Sequence, residues 1–303
     1  MRIGVVLLPE LNWDRDRERW RRAEAYGFDH AWTYDHLAWR TMADGPWHAT
    51  LPTLAAAALE TGGIRLGTWV TTPNFRHPVP LAKELMTLDV MSRGRVTIAL
   101  GAGAPGYDAA VLGQPELTPL ARQTRFEEFY TLLDELLSHP LTTWSGEWYT
   151  AVEARMYPGP VQRPRPPLLV AANGPCGMRL AAAAARCPGD GWVTIGPRNS
   201  ETPDDEWWAS VAKSARLMDE AIARAEEGRD DSQTPFVRLL NLGARTTSMT
   251  SLDRVRDQLA RAAALRFTDL VLAWPRRERP FQGDERLLDE VAATLPELRR
   301  LGG

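Results

Sequence analysis

Short apolar runs alternate with amphipathic stretches along the whole chain. Arg2 to Leu8 is almost unbroken apolar sequence and reads as a first β-strand. Equivalent runs follow at Asp29 to Tyr34, Ile64 to Thr71, Arg95 to Leu100, Leu168 to Ala172, Gly191 to Ile195, Phe236 to Leu242 and Asp269 to Ala273. Continuous rather than alternating apolarity is the mark of strands buried on both faces. The intervening stretches carry apolar residues three and four apart and read as helices. These are Asp14 to Tyr26, Leu51 to Thr61, Pro80 to Met91, Thr118 to Leu137, Cys176 to Ala185, Asp204 to Glu227, Ser251 to Leu265 and Asp284 to Leu298. Gly27 and the pair Gly62-Gly63 stand where helices commonly stop.

Strands that alternate with helices connect through right-handed crossovers into a parallel sheet. Eight such units in 303 residues predict an α/β fold, a closed (β/α)₈ barrel, as one domain over residues 1–303. The rival, an open doubly wound sheet, calls for G-x-G-x-x-G after the first strand. That place holds Pro9-Glu10-Leu11-Asn12 instead. From His139 to Pro167 the pattern is lost, with five prolines after Tyr157, and the segment reads as an irregular excursion before the fifth strand.

Composition narrows the function. A net charge of -3, with basic runs as short and mixed as Pro275-Arg276-Arg277-Glu278-Arg279, argues against nucleic acid or an anionic membrane as partner. The first apolar run is too short for a secretory signal, and no stretch approaches a bilayer span, so a cytoplasmic protein is expected. Cys176 and Cys187 fit no metal or redox spacing, and there is no H-E-x-x-H, so no metal is expected. The nucleotide-binding GxxxxGK[ST] and the G-x-S-x-G nucleophile elbow are missing as well.

In a barrel of this kind, chemistry belongs to the carboxyl ends of the strands. Asp35-His36 follows the second strand; a histidine moves protons near neutral pH, or merely caps the strand. Asn173-Gly174 precedes the alanine-rich helix and exposes N–H groups suited to a phosphate, or makes a tight turn. The corner Gly101-Ala102-Gly103 ends the fourth strand and admits a flat ring, or is a turn without a tenant. Glu10 and Asp108 are the acids nearest the expected rim, where a pair of carboxylates would suit glycoside hydrolysis. Trp13, Trp39, Trp47 and Trp274 fall at strand ends or loops, and several around one cavity would suit a planar ligand.

Four stretches together resemble the luciferase-like flavin or deazaflavin oxidoreductase superfamily. They are AEAYGFDHAWTYDHLAW (23–39), IRLGTWVTTPNFRHPVPLAKELMTLDVMSRGRVTIALGAG (64–103), GPVQRPRPPLLVAANGP (159–175) and CPGDGWVTIG (187–196). The resemblance implies an isoalloxazine-type ring bound at the strand carboxyl ends. It also implies a non-proline cis peptide, placed by motif position at Trp69–Val70, behind the ring. On that basis Asp35, Trp69, Val70, Thr71, Gly101, Ala102 and Gly103 would bind the cofactor ring. Asn173 and Gly174 would hold its phosphate, Ala172 would also belong to the cofactor site, and Val193 and Ile195 would line the far side. His36 would lie at the reactive face, with Glu10 as a rim carboxylate, and the four tryptophans would line the substrate pocket.

One position departs from the pattern. Sugar-phosphate dehydrogenases of the deazaflavin branch carry glutamate directly after the fourth-strand Gly-x-Gly, and here that residue is Ala104. The wording of the motifs favours F420 as cofactor and hydride transfer with a small organic metabolite. The alternatives are an FMN-dependent monooxygenase, served by a separate flavin or F420 reductase, and a barrel that only binds a ligand. Relatives of this kind pair as homodimers through outer helices, on a face that the sequence does not identify.

Overall fold

The computed structural model describes residues 1–39, 42–197, 202–226, 235–243 and 248–300. The expected strands are present as β1 (Arg2–Leu7), β2 (His30–Tyr34), β3 (Arg65–Thr71), β4 (Val96–Gly101), β7 (Leu168–Ala171), β8 (Gly191–Thr194), β9 (Val237–Asn241) and β10 (Asp269–Ala273). They close into a barrel in the order β1-β10-β9-β8-β7-β4-β3-β2. Pairing is parallel where registers are defined, for example Arg2↔Asp269 between β1 and β10 and Leu66↔Val96 between β3 and β4. Every residue of β2, β4, β8, β9 and β10 is buried, which accounts for their largely apolar runs; the polar exceptions, such as Arg238 and Asp269, are themselves buried.

The helices between them are α1 (Trp13–Ala25), α2 (Thr50–Glu60), α3 (Pro78–Ser92), α5 (Pro119–Ser138), α6 (Pro175–Ala184), α7 (Asp204–Glu226), α8 (Leu252–Ala264) and α9 (Glu285–Arg300). Glu227, the expected last residue of α7, lies outside the described residues. Local chemistry sets several starts. The Thr118 side chain accepts from Ala121 N ahead of Pro119, and Ser251 accepts from Arg254 N. In α5 the residues Phe126, Phe129, Leu132, Leu133 and Leu136 are all buried, as their helical spacing predicts.

Two expectations are corrected. The segment before the fifth barrel strand is not irregular throughout. Residues β5 (Leu141–Ser145) and β6 (Thr150–Arg155) form an antiparallel two-stranded sheet. Its turn is gathered by one carboxylate. Glu128 of α5 accepts from the backbone N–H groups of Glu147, Trp148 and Tyr149 and from Trp144 Nε1. The second correction is a short helix, α4 (Tyr107–Val111), directly after the glycine corner, where the sequence pattern gave none.

The chain divides into two compact units. One comprises Met1–Leu7, Arg21–Trp32 and Leu169–Gly303, and the other Leu8–Trp20 and Thr33–Leu168. The described residues hold no helix long and apolar enough to cross a membrane.

Candidate active site

The second unit holds the richest chemistry. His36 lies two residues beyond β2, and its side chain is 20% exposed. Its Nδ1 is 2.5 Å from Oδ2 of Asp108 on α4, and Oδ1 of the same carboxylate accepts from Leu37 N at 2.8 Å. The short helix thus exists to deliver an acid. Gly106 precedes it and Asp108 sits in its first turn, where a carboxylate is favoured by the helix dipole. With Nδ1 held by a carboxylate, Nε2 is the nitrogen left for chemistry, and it has no partner among the described residues. Around the imidazole, Trp39 stands 4.7 Å away centroid to centroid, Tyr34 lies 4.9 Å from Trp39, and Trp47 stacks on Trp39 at 6.5 Å. Trp47 Nε1 also donates to the His36 carbonyl at 2.9 Å, so the aromatic wall is fastened to the histidine's own backbone.

Asp35 is fully buried, and its carboxylate is engaged from within the protein. Arg76 donates to both oxygens, at 2.7 and 3.3 Å, and Thr71 Oγ1 donates at 2.8 Å. Asp35 N donates to the carbonyl of Trp69 at 3.3 Å. The Trp69–Val70 peptide is cis, where the motif position puts it, and the β3–β4 register shifts between Thr68 and Thr71. Trp69 and Thr71 are buried and Val70 is half-buried.

The glycine corner has a neighbour of its own. Gly103 has φ +74°, and a Cβ there would stand 2.6 Å from the carboxamide of Asn74. Asn74 Nδ2 donates to Ala104 O at 2.9 Å, and Asn74 Oδ1 accepts from Arg125 Nη2 at 2.7 Å. A protein amide therefore accounts for the missing side chain at Gly103, and the carbonyl of Ala104 is a structural acceptor. Gly101 is buried, and Ala102 is half-buried at the edge.

In the other unit, the loop that opens α6 behaves differently. Gly174 is the N-cap, with φ -125° and no side-chain cap, and a Cβ added there would meet nothing within 4 Å. Neither backbone conformation nor the protein's own packing calls for glycine, so the position leaves space at an exposed helix N-terminus. The Asn173 amide is already used: Thr194 Oγ1 donates to Oδ1 at 2.6 Å, and Nδ2 donates to Gly196 O at 3.2 Å. It joins the ends of β7 and β8 and leaves backbone N–H groups as the donors facing out. Ala172 and Val193 are buried, and Ile195 is half-buried.

With this geometry in view, the comparison with known proteins is decisive on family. The family described as luciferase-like monooxygenase matches residues 1–288. The chain belongs to that family. It is 36% identical over 204 residues to an F420-dependent glucose-6-phosphate dehydrogenase of Beutenbergia cavernae, covering 66% of this chain and 58% of the relative. It is 30% identical over 227 residues to a 4-hydroxyprotoasukamycin monooxygenase of Streptomyces nodosus subsp. asukaensis, covering 72% of this chain and 58% of that one. The chain thus spans under two thirds of the length of these relatives. Among solved structures, an F420-dependent secondary alcohol dehydrogenase bound to an F420-acetone adduct superposes with a TM-score of 0.79 at 19% identity, over 98% of this chain and 99% of that one. At that identity the likeness concerns the barrel alone.

Membership of the luciferase-like family leaves the individual residues to be judged by their surroundings. Of the four tryptophans, Trp39 and Trp47 gather at His36. Trp13 opens α1, half-buried, with no ring contact to that group among the described residues. Trp274 is a correction: it is 1% exposed and its ring stacks on Tyr26 at 6.3 Å, with the Arg22 guanidinium 5.3 Å away. It packs as core against Arg22 of α1 and Tyr26 just past that helix. The glycosidase-like carboxylate pair is also corrected, because both oxygens of Asp108 are committed to His36 and Leu37, while Glu10 lies 3.7 Å from Arg19 Nη1. Sequence reasoning named Asp108 without finding its partner. The signal was there in Gly106-Tyr107-Asp108, a glycine followed by an acid in the first turn of a helix too short to show a period.

Proposed function

We propose that the chain is an F420-dependent oxidoreductase that transfers hydride between the deazaflavin and a small organic metabolite, with His36 as the proton-handling residue. The observation that carries this reading is the His36–Asp108 pair at the end of β2, with Nδ1 fixed and Nε2 unpartnered. Support for the cofactor comes from the relatives named as F420-dependent and from the open position at Gly174, where a phosphate finds helix N–H donors and no side chain in its way.

When bound, F420 would supply or accept the hydride. The chain's own residues handle the proton and the surroundings. Oxidation of an alcohol to a carbonyl releases a hydride and a proton; His36 Nε2 takes the proton, and returns it in the reverse direction. Asp108 holds the imidazole by Nδ1 and stabilises its cationic form once charged. Trp39, Trp47 and Tyr34 wall the site and favour an apolar or aromatic substrate over a strongly hydrated one. Glu10 lies 3.7 Å from Arg19, a guanidinium it shares with Asp16, and the acid–base role is assigned to His36.

Ala104 separates this chain from sugar-phosphate chemistry. A methyl group stands where a carboxylate would serve the sugar, and the local carbonyl is occupied by Asn74. The test is a screen of secondary alcohols, aldehydes, enones and glucose 6-phosphate, following F420 absorbance anaerobically. Turnover of an apolar substrate and none of glucose 6-phosphate is expected. Oxygen uptake with reduced FMN, and no F420 turnover, would instead support the monooxygenase reading that the Streptomyces relative favours.

A further inference from the structure

A separate cavity of about 310 Å³ opens beside Pro73, Phe75, Arg76, His77, Gln114, Arg125, Trp148 and Tyr149. Its lining combines donors and flat apolar surfaces, and its cations are unequal. Arg76 is neutralised by Asp35 at 2.7 Å and faces Glu84 at 3.5 Å. Arg125 is 8% exposed and has no carboxylate within ion-pair distance among the described residues. It donates to neutral amides, Asn74 Oδ1 at 2.7 Å and Gln114 Oε1 at 3.2 Å. Arg125 Nε is buried without a partner, and so is the indole Nε1 of Trp148 on the same cavity.

A buried guanidinium that lacks both a counter-charge and one hydrogen bond is costly, and such groups are normally paired. Glu128, one turn along α5 from Arg125, is committed to the hairpin turn. Burial, reinforced by the Glu128 charge and opposed by Arg125, pushes the Tyr149 phenol up to about 12, so it remains an O–H group at neutral pH. Burial holds His77 below its ordinary value, and its Nδ1 accepts from Val79 N at 3.2 Å. The cavity is thus lined by one uncompensated positive charge and by aromatic walls, and Arg125 and Trp148 each carry a buried N–H without a partner.

We infer that this cavity binds the carboxylate of an aromatic or apolar monocarboxylic acid, with Arg125 as counter-ion and Trp148 as second donor. A monoanion matches the single uncompensated charge, whereas a phosphate dianion would leave charge unpaired. The aromatic lining suits a flat body behind the carboxylate. Asn74 connects the cavity to the glycine corner, since the amide that accepts from Arg125 donates to Ala104 O. This inference is independent of the proposed cofactor.

The test is calorimetric titration of the F420-free protein with benzoate, with benzamide and inorganic phosphate as comparisons. Benzoate is expected to bind saturably and tighter than either. Trp148→Phe, which keeps the ring and loses the donor, is expected to weaken benzoate about tenfold. Arg125→Met is expected to weaken it about a hundredfold, and His36→Ala to leave it unchanged. Failure of wild type to bind benzoate, tighter binding of phosphate, or equal affinity in Trp148→Phe would each overturn the assignment. Should Arg125→Met fail to fold, the Trp148→Phe comparison still decides.

Discussion

Among the described residues, each unit contains one histidine–aspartate pair, and the two are built for opposite ends. At the start of β2, His30 is 5% exposed and its Nε2 lies 3.1 Å from Asp269 Oδ1. Its other nitrogen, Nδ1, accepts from the indole of Trp32 at 2.7 Å. Asp269 is further tied by Arg2 Nε at 2.8 Å and Thr268 Oγ1 at 2.6 Å. Both ring nitrogens of that imidazole are engaged within the protein. Just beyond the end of the same strand, His36 has one nitrogen on Asp108 and the other unpartnered among the described residues. A carboxylate beside a histidine does not by itself make a catalytic pair. What the second nitrogen meets decides whether the pair holds the fold or does chemistry.

The comparison breaks most directly by truncating each histidine. His36→Ala should lower turnover by about 10²–10⁴-fold, the usual worth of a positioned acid or base, while leaving the thermal midpoint close to wild type. His30→Ala should do the reverse. It leaves Asp269 in a buried site with one donor fewer, costing about 3 kcal/mol in urea unfolding, with kcat of the folded fraction unchanged. A large loss of turnover in His30→Ala with stability intact would reverse the two assignments.

Acid titration sharpens the contrast. Burial drives the Asp269 carboxyl upward, but the hydrogen bonds and charges of His30 and Arg2 outweigh it and hold the group at about 2. A carboxylate depressed in the folded state contributes its stability above the unfolded value of 3.8 and loses it as pH falls toward 2. Urea midpoints between pH 4.5 and 2 should therefore fall by an amount equivalent to about 2 kcal/mol from this group. Asp269→Asn should start less stable and show a shallower acid limb. The smallest effect is expected from Asp108→Asn, which keeps a side chain beside Nδ1 but removes the charge. Turnover should drop about tenfold, with the pH–rate profile displaced, and an unmoved profile would reduce Asp108 to a structural tie.

The barrel was legible because strands of this kind are buried on both faces, and unbroken runs such as Val96 to Leu100 announce themselves. Helix starts were legible where a cap is a local event, as at Thr118 and Ser251. Contacts between residues distant in sequence were not. His36 and Asp108 are 72 positions apart, and the helix that joins them has only five residues, too few to show a repeat. The glycine corner was read as room for a ring, yet at Gly103 the close neighbour is Asn74, 29 residues earlier in the chain, which no local pattern reveals. Trp274 failed for a related reason. It follows β10 at the expected rim, but its ring turns to Tyr26 and Arg22 at the end of α1, and the direction of one side chain past a strand end is set by packing. The hairpin β5–β6 was hidden because its exposed Leu141 and Val152 blur the alternation that marks a half-buried strand.

Whether the protein binds F420, as proposed, is read from equilibrium binding. Fluorescence titration of the purified protein with F420 and with FMN is expected to show saturable F420 binding tighter than FMN. That binding should be retained in His36→Ala and lost in Gly174→Val, which fills the space at the start of α6. Saturable binding of neither cofactor, or F420 affinity untouched by Gly174→Val, would contradict the account.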